Sequence, residues 1–416
     1  MSADSAPVRG LSVRAAALVF FAFAFAYFLS ALLRAVTATL APVFRVELGL
    51  QAADLGLLAG AYFFGFAAVQ LPLGRALDRF GPRRVLLVLL SLAVLGCAAF
   101  ALAPNLPALI AARVLIGAGV GACLMAPLTS YRRLFSAGSQ LRANSWMLMT
   151  GSLGMVASTL PVQWLLPLLG WRGLFWAAAV LLLAAIALIA WLAPRDPAPE
   201  PGAGGAAQPS GYRAIVRHPL FVRMAPLAFF TYGGMIAVQA LWAGPWMTRV
   251  TGASPDEAAS GLFAINLSML FTFMVWGALL PHLTRRGLGA VRLITWGVPV
   301  SLVVLAAVVL LGSSAGAAHW ALWCVSSTFV ALCQPAVGQA FPAAQAGRAL
   351  SAFNLVIFGG VFCLQWGIGL LIDAFQAAGL TEIGAFQAAF GAFWVCCTGA
   401  FVWFVVAPRV APDNAG

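Results

Sequence analysis

The stretch "GRALDRFGPRRVLL", residues 74–87, is a charged interruption in an otherwise apolar chain. It places four arginines and one aspartate between two long apolar runs, with a glycine at its start and another near its middle. Because about 20 apolar residues in a helix cover the ~30 Å hydrocarbon core of a bilayer, this pattern indicates a charged turn between two membrane-spanning helices.

The composition extends this interpretation to the whole chain. Of its 416 residues, 63% are hydrophobic and only 8% are charged, and the mean hydropathy is +0.98. Soluble domains carry roughly 25% charged residues, so we predict an all-α, polytopic membrane protein. Twelve spans can be placed, at residues 15–41, 55–76, 84–103, 108–130, 144–169, 173–193, 221–247, 258–280, 290–312, 317–340, 350–373 and 385–407.

The spans fall into two groups of six. A Pro-, Gly- and Ala-rich segment that cannot build a core separates them, so we predict bundles at 1–194 and 220–416 joined by a linker at 195–219. Residues 78–81 and 284–287 match at an offset of 206, as do Arg142 with Arg348 and Arg113 with His319. These agreements indicate a duplicated six-helix unit, although coincidence among low-complexity apolar segments would also produce some of them.

The distribution of basic residues between the loops indicates the orientation of the chain in the membrane. The net charge is +12 and all 23 basic residues are arginines, which sit mostly in short loops and do not form one nucleic-acid-binding face. If the N-terminus is cytoplasmic, eighteen arginines lie on the cytoplasmic side, three on the opposite side and two within spans. By the positive-inside rule, we predict that both termini and the linker are cytoplasmic, in a multi-pass protein of a bacterial inner membrane.

The opening stretch fits the pattern G-x3-D-R-x-G-x-R-R, and span 4 fits R-x3-G-x3-G. The residues concerned are Gly74, Asp78, Arg79, Gly81, Arg83 and Arg84 in the turn, and Arg113, Gly117 and Gly121 in span 4. With twelve spans and a central linker, the whole chain resembles the major facilitator superfamily. The resemblance implies a secondary transporter that works by alternating access, in which the turn latches one conformation.

The residue types in the turn are consistent with a latch. Gly74 lets two helices approach closely, Asp78 can face the positive N-terminal end of a neighbouring helix, and Gly81 with Pro82 favours a tight turn. The alternative is that the charges are only anchors at the cytoplasmic surface. That alternative accounts for Arg83 and Arg84 but leaves the spacing of glycine and aspartate unexplained.

Arg34 in span 1 is the leading candidate for substrate binding. An arginine inside a span costs at least ~2.5–3.5 kcal/mol on insertion scales and should face protein or water. Tyr27, Ser30 and Arg34 follow helical spacing and should share one face. The planar guanidinium suits a carboxylate or phosphate, and organic-anion branches of the superfamily have an arginine near this point. Alternatively, Arg34 lies close enough to Pro42 to reach the outer interface.

Other candidates are polar or aromatic residues on otherwise apolar spans, and together they suggest a polar, aromatic-lined cavity. They are Tyr232, Gln239, Trp242, Asn266, Gln334, Asn354 and Gln365, with Phe358 between the last two. Each one alone could equally serve a helix–helix hydrogen bond. Arg113 could likewise pair with the cavity or lock helix packing.

The sequence favours a transporter of a small organic anion, with a neutral or amphiphilic solute, including efflux, as the alternative. An enzyme or receptor is disfavoured because the three histidines are scattered and no large soluble domain is evident. The seven cysteines lie in apolar stretches without His or carboxylate at ligand spacing, so neither a metal nor a cofactor is expected. We also expect a monomer.

Overall fold

The computed structural model describes residues 13–135, 137–195 and 212–407, and this part of the chain is almost entirely helical. The membrane-scale helices are α1 (Val13–Leu48), α2 (Ala52–Phe80), α3 (Pro82–Leu102), α4 (Leu106–Tyr131), α5 (Ala137–Ala157), α6 (Leu160–Leu192), α7 (Pro219–Arg249), α8 (Pro255–Arg285), α9 (Ala290–Leu311), α10 (Ala317–Gln339), α11 (Ala343–Ala377) and α12 (Glu382–Val406). Residues 196–211 of the predicted linker lie outside the described residues. Tyr212–Val216, at its predicted end, form a short helix.

Eleven of the helices in the described ranges are long and apolar enough to cross a membrane; α5 is not counted among them. The predicted fifth span, 144–169, is interrupted at Ser158 and Thr159 and continues as the first residues of α6. Gly170 then breaks α6, with a φ of 62° that an L side chain rarely adopts. The segment after this break corresponds to the predicted sixth span. The predicted all-α polytopic fold is therefore confirmed, with the fifth and sixth spans divided differently.

Short connections make successive helices antiparallel, except across Ser158 and Thr159, where the predicted fifth span continues from α5 into the start of α6. The bundle therefore has two ends. We call the end that carries the 80–82 turn the turn face, and the end that carries the Leu48–Ala52 connection the far face. In the first half α1 packs against α5 and α6, while α4 packs against α2 and α3. In the second half α10 packs against α8 and α9, and α11 against α7 and α12.

Small residues set the helix spacing. A methyl group on Gly117 would overlap the Tyr62 carbonyl oxygen, so α2 and α4 approach as closely as their backbones allow. Gly154 of α5 meets the Phe28 carbonyl of α1 in the same way. Membrane helices associate through such van der Waals contact because lipid tails provide no hydrophobic driving force between them.

The two halves meet mainly along α2 and α11. Gly56 lies against the backbone of Gln365, and Gly369 lies against the backbone of Ala52. Further along the same pair of antiparallel helices, the rings of Phe66 and Phe358 lie 4.6 Å apart. Additional contacts between the halves join α1 to α7 and join α5 and α6 to α8.

Candidate functional site

Arg34 lies in the middle of α1, half-buried, where the two halves meet. Its guanidinium interacts with the side chains of Tyr27 and Tyr62 and is close enough to Tyr232 of α7 for an electrostatic interaction. It also lies over the Phe66 ring, 5.7 Å from the ring centroid. The structure therefore brings together Arg34, Tyr27 and Tyr232 of the predicted set, with rings from α1, α2 and α7 around a single cation.

No carboxylate pairs with Arg34 among residues 13–135, 137–195 and 212–407. The ion pairs found there are Arg45–Glu382 and Arg249–Glu382, both 3.0 Å long and both at the far face. The Nε of Arg34 is buried without a hydrogen-bond partner. A cation in this setting is stabilised by phenol oxygens and ring faces, and it retains capacity for an anion.

The backbone of α1 around Arg34 is braced from two sides. The Tyr62 hydroxyl donates to the Ser30 carbonyl at 3.1 Å, and Nη1 of Arg113 donates to the Leu33 carbonyl at 2.9 Å. Arg113 is 0% exposed and lies over the rings of Phe100 and Phe175. The Ser30 hydroxyl is buried without a partner.

The candidates of the second half form pairs with one another. Gln239 donates to Asn266 at 3.0 Å, and Gln334 donates to Asn354 at 2.6 Å. The indole of Trp242 donates to the Gln365 carbonyl at 3.1 Å. Asn354 and Gln334 are partly exposed, whereas Gln239, Asn266 and Trp242 are buried between helices. No direct contact of these pairs with Arg34 is described.

Gln365 differs from the other amide side chains. It is 0% exposed, and neither its Nε2 nor its Oε1 has a partner within the described part of the chain. Since a buried unpaired amide is costly, this residue is a site of unmet hydrogen bonding near the far-face seam of α2 and α11.

Helix α7 departs from α-helical geometry on either side of Gly233 and Gly234. Two stretches, Leu227–Tyr232 and Val238–Trp242, are π-helical. The π-helix is rare in proteins, and where it occurs it often lies at a functional site. The first of these stretches ends at Tyr232, beside Arg34, and the second contains Gln239 and Trp242. Sequence reasoning did not predict this geometry.

Two aromatic neighbours of Arg34 were also missed by sequence reasoning, Tyr62 and Phe66; Phe358, which the sequence did suggest, contacts the rings of α2. Phe358 stacks against Phe63 at 6.2 Å and meets Phe66 edge-on. Tyr62 is 1% exposed. Aromatic residues are common in apolar spans. Only the packing of α2 against α11 distinguishes these rings from aromatic residues that face lipid.

The two ends of the bundle differ. At the far face, Asp373 of α11 accepts hydrogen bonds from the backbone N–H groups of Ala52 and Ala53, the first residues of α2, at 3.1 and 2.8 Å. Gln163 of α6 likewise donates to Asp256 of α8 at 2.9 Å. These contacts join the two halves, so the far face is closed.

At the turn face, Gly74 has open space beside it, and Arg75, Arg79 and Arg84 are exposed. Gly81 adopts φ 83° and caps α2, Pro82 begins α3, and Arg83 donates to the Ala190 carbonyl of α6. The side chain of Asp78 lies outside the described part of the structure. Gly117 and Gly121 of the span 4 pattern pack against α2.

Comparison with known proteins supplies the family. The family model described as Major Facilitator Superfamily matches residues 23–364. The crystal structure of a bacterial homologue of the human lysosomal transporter Spinster, inward-facing and unoccupied, aligns with a TM-score of 0.75 at 18% identity and covers 97% of this chain and 100% of that one. At this identity the structural match shows the fold.

Curated relatives match over shorter stretches. A protein named as a probable sulfoacetate transporter of Cupriavidus necator is 33% identical over 95 residues, 23% of this chain and 22% of that protein. The 4-hydroxybenzoate transporter of Acinetobacter baylyi is 30% identical over 35% of this chain and 33% of its own length. A triacylglyceride transporter of Mycolicibacterium hassiacum is 37% identical over 31% of this chain and 24% of its own length.

The aligned stretches thus span no more than a third of these curated relatives. The family model, in contrast, matches most of the chain, and the structural match extends over nearly all of it. The protein is a multi-pass membrane transporter, not an enzyme, and it belongs to the major facilitator superfamily.

Proposed function

We propose that the protein moves a small organic anion across the inner membrane of a bacterium by alternating access, and that Arg34 binds the anionic group. The observation that carries this proposal is the placement of Arg34. It is a mid-membrane cation at the junction of the two halves, surrounded by aromatic rings, without a carboxylate partner in the described ranges. Substrate sites of such transporters lie near the bilayer midplane between the repeats.

The relatives support an anionic solute only indirectly. Sulfoacetate and 4-hydroxybenzoate, named for two of them, are both organic anions at neutral pH. The triacylglyceride named for the third is neutral and amphiphilic. This name supports a second candidate function, in which Arg34 is structural and the solute is neutral or amphiphilic.

The arginine distribution supports a cytoplasmic turn face and cytoplasmic termini. In that orientation the described conformation, closed at the far face, faces the cytoplasm. The charged turn at 74–84 then lies on the cytoplasmic rim, where Asp78 would latch the opposite conformation.

A thermal-shift screen of the purified full-length protein tests the proposal. The screen compares mono- and dicarboxylates, sugar phosphates and neutral compounds. We expect at least one anion to raise the melting temperature, and Arg34→Ala to abolish that shift. Stabilisation by neutral amphiphiles alone, unchanged in Arg34→Ala, would establish the second candidate.

A further inference from the structure

We infer that the solute is a monoanion with a flat, apolar body, an inference that rests on the proposed function of Arg34. Arg34 and Arg113 are the described arginines that lie in the middle of a membrane helix with unbroken α-helical backbone on both sides of them. Arg113 is fully buried and donates to the Leu33 carbonyl. One cation therefore reaches the space between the halves at this depth.

Aromatic side chains surround the Arg34 guanidinium. The neighbours contributed by α1, α2 and α7 are phenol rings, those of Tyr27, Tyr62 and Tyr232. The Phe66 ring covers one side of the guanidinium, and Phe358 continues the aromatic surface from α11. A second negative charge on the solute would face ring faces, whose quadrupole is negative. A flat apolar body would instead stack on them.

The experiment compares matched solutes on the purified full-length protein by thermal shift and by calorimetric titration. The probes are benzoate, its neutral isostere benzamide, the non-planar cyclohexanecarboxylate and the dianion terephthalate. We expect benzoate to bind best, with cyclohexanecarboxylate roughly three- to tenfold weaker because ring stacking is lost. Terephthalate should bind at least tenfold weaker than benzoate.

The outcomes separate this inference from the proposed function. If benzamide binds as well as benzoate, the anion proposal itself fails. If cyclohexanecarboxylate or terephthalate binds as well as benzoate, the anion proposal stands and the flat monoanion is wrong. Absence of binding by all three anions overturns the flat monoanion, and the wider thermal-shift screen then decides the anion proposal.

Two variants test whether the preference for a flat solute comes from the rings near Arg34. Phe66→Leu should reduce the ratio of benzoate to cyclohexanecarboxylate affinity toward one. Phe401→Leu removes a ring of α12 whose described ring contact is Phe404 and should leave the ratio unchanged. An unchanged ratio in Phe66→Leu, with binding retained, contradicts the stacking argument.

A different observation, the Asp373 cap, carries a second inference: the geometry points to a lock of the far face, formed by Asp373 of α11 on the first turn of α2. Asp373, near the C-terminal end of α11, holds the first two backbone N–H groups of α2. The contacts of Gly56 with Gln365 and of Phe66 with Phe358 fix the antiparallel register of this helix pair. Continued to the turn face, that register places Asp78, near the C-terminal end of α2, opposite the first turn of α11.

Each helix thus carries an aspartate in register with the positive N-terminal end of the other. The two helices are packed at the far face, whereas Gly74 on α2 has open space beside it. We therefore assign Asp373 as the far-face lock of the conformation described, at the opposite end of the helix pair from the latch that the family resemblance implies for Asp78.

Hydrogen–deuterium exchange on the full-length protein tests the lock. Asp373→Asn removes the charge and should speed exchange roughly fivefold at the far-face ends of both α2 and α11, the effect expected from weakening a helix cap. Asp54→Asn is the matched control, because Asp54 caps the same helix end from within its own half, at Gln51 N–H. It should affect only the first turn of α2.

If exchange in Asp373→Asn is faster only in the first turn of α2, then Asp373 is a local helix cap and does not lock the two halves together. Unchanged exchange would also overturn the lock. Faster exchange at the far-face ends of both helices supports the lock.

Discussion

The Arg34 guanidinium is the group that we expect to determine the charge of the solute. Arg34→Ala should insert normally and lose roughly ten- to hundredfold in anion affinity, since a charge-assisted hydrogen bond contributes about 1.5–3 kcal/mol. Arg34→Lys should also bind poorly, because an ammonium lacks the planar two-point geometry. Titration with the best-binding anion of the thermal-shift screen measures both effects.

The control for Arg34 is Arg292→Ala, which removes an exposed arginine that lies over the Trp296 ring near the start of α9. Its anion affinity should match that of the wild type. Near-normal affinity in Arg34→Ala would make Arg34 a packing arginine and would favour the neutral-solute function.

Individual residues of the site could be predicted from the sequence only where they lie on the same helix and follow helical spacing. The shared face of Tyr27, Ser30 and Arg34 follows from helical spacing within α1. The partners Tyr62 and Phe66 could not be found this way, because nothing in α2 distinguishes them from lipid-facing aromatics until the helices are packed. The pairing of Gln334 with Asn354 depends in the same way on two helices meeting.

At the scale of helices, close glycine contacts determine which helices can approach each other. Gly117→Ala would place a methyl group on the Tyr62 carbonyl and should destabilise the protein by about 1–3 kcal/mol through overpacking. Gly391→Ala on α12, where no neighbouring atom is near, should be neutral or slightly stabilising. Melting temperatures in one detergent compare the two variants, and equal values would contradict the contact.

The turn at 74–84 supports a second prediction about helices. We expect Asp78→Asn to preserve insertion and to shift the protein away from the conformation closed at the turn face, because the anionic partner for the α11 N-terminus is lost. Labelling of single cysteines near the turn-face mouth should then increase. Unchanged labelling together with normal transport would leave the turn as a membrane-surface anchor.

Across the whole molecule, hydropathy predicted the helices well because the bilayer imposes a length and a composition on each span. It did not predict the division of α5 from α6. That division occurs where Pro161 lacks a backbone N–H, and the Ser158 and Thr159 hydroxyls donate to carbonyls of the preceding turn. Such local compensation is invisible to an averaged hydropathy.

The orientation of the molecule is the last prediction. The topology predicted from the sequence assigns eighteen arginines to the side of the charged turn and three to the other. This bias should place the turn face in the cytoplasm, because arginine-rich loops are retained there during insertion. Reporter fusions at Pro209 and Asn414, both outside the described residues, should behave as cytoplasmic. An insertion after Gly252, in the far-face loop between α7 and α8, should behave as periplasmic. A periplasmic signal from either of the first two sites would overturn the predicted number of spans before it. Periplasmic signals from both, with a cytoplasmic signal after Gly252, would overturn the orientation.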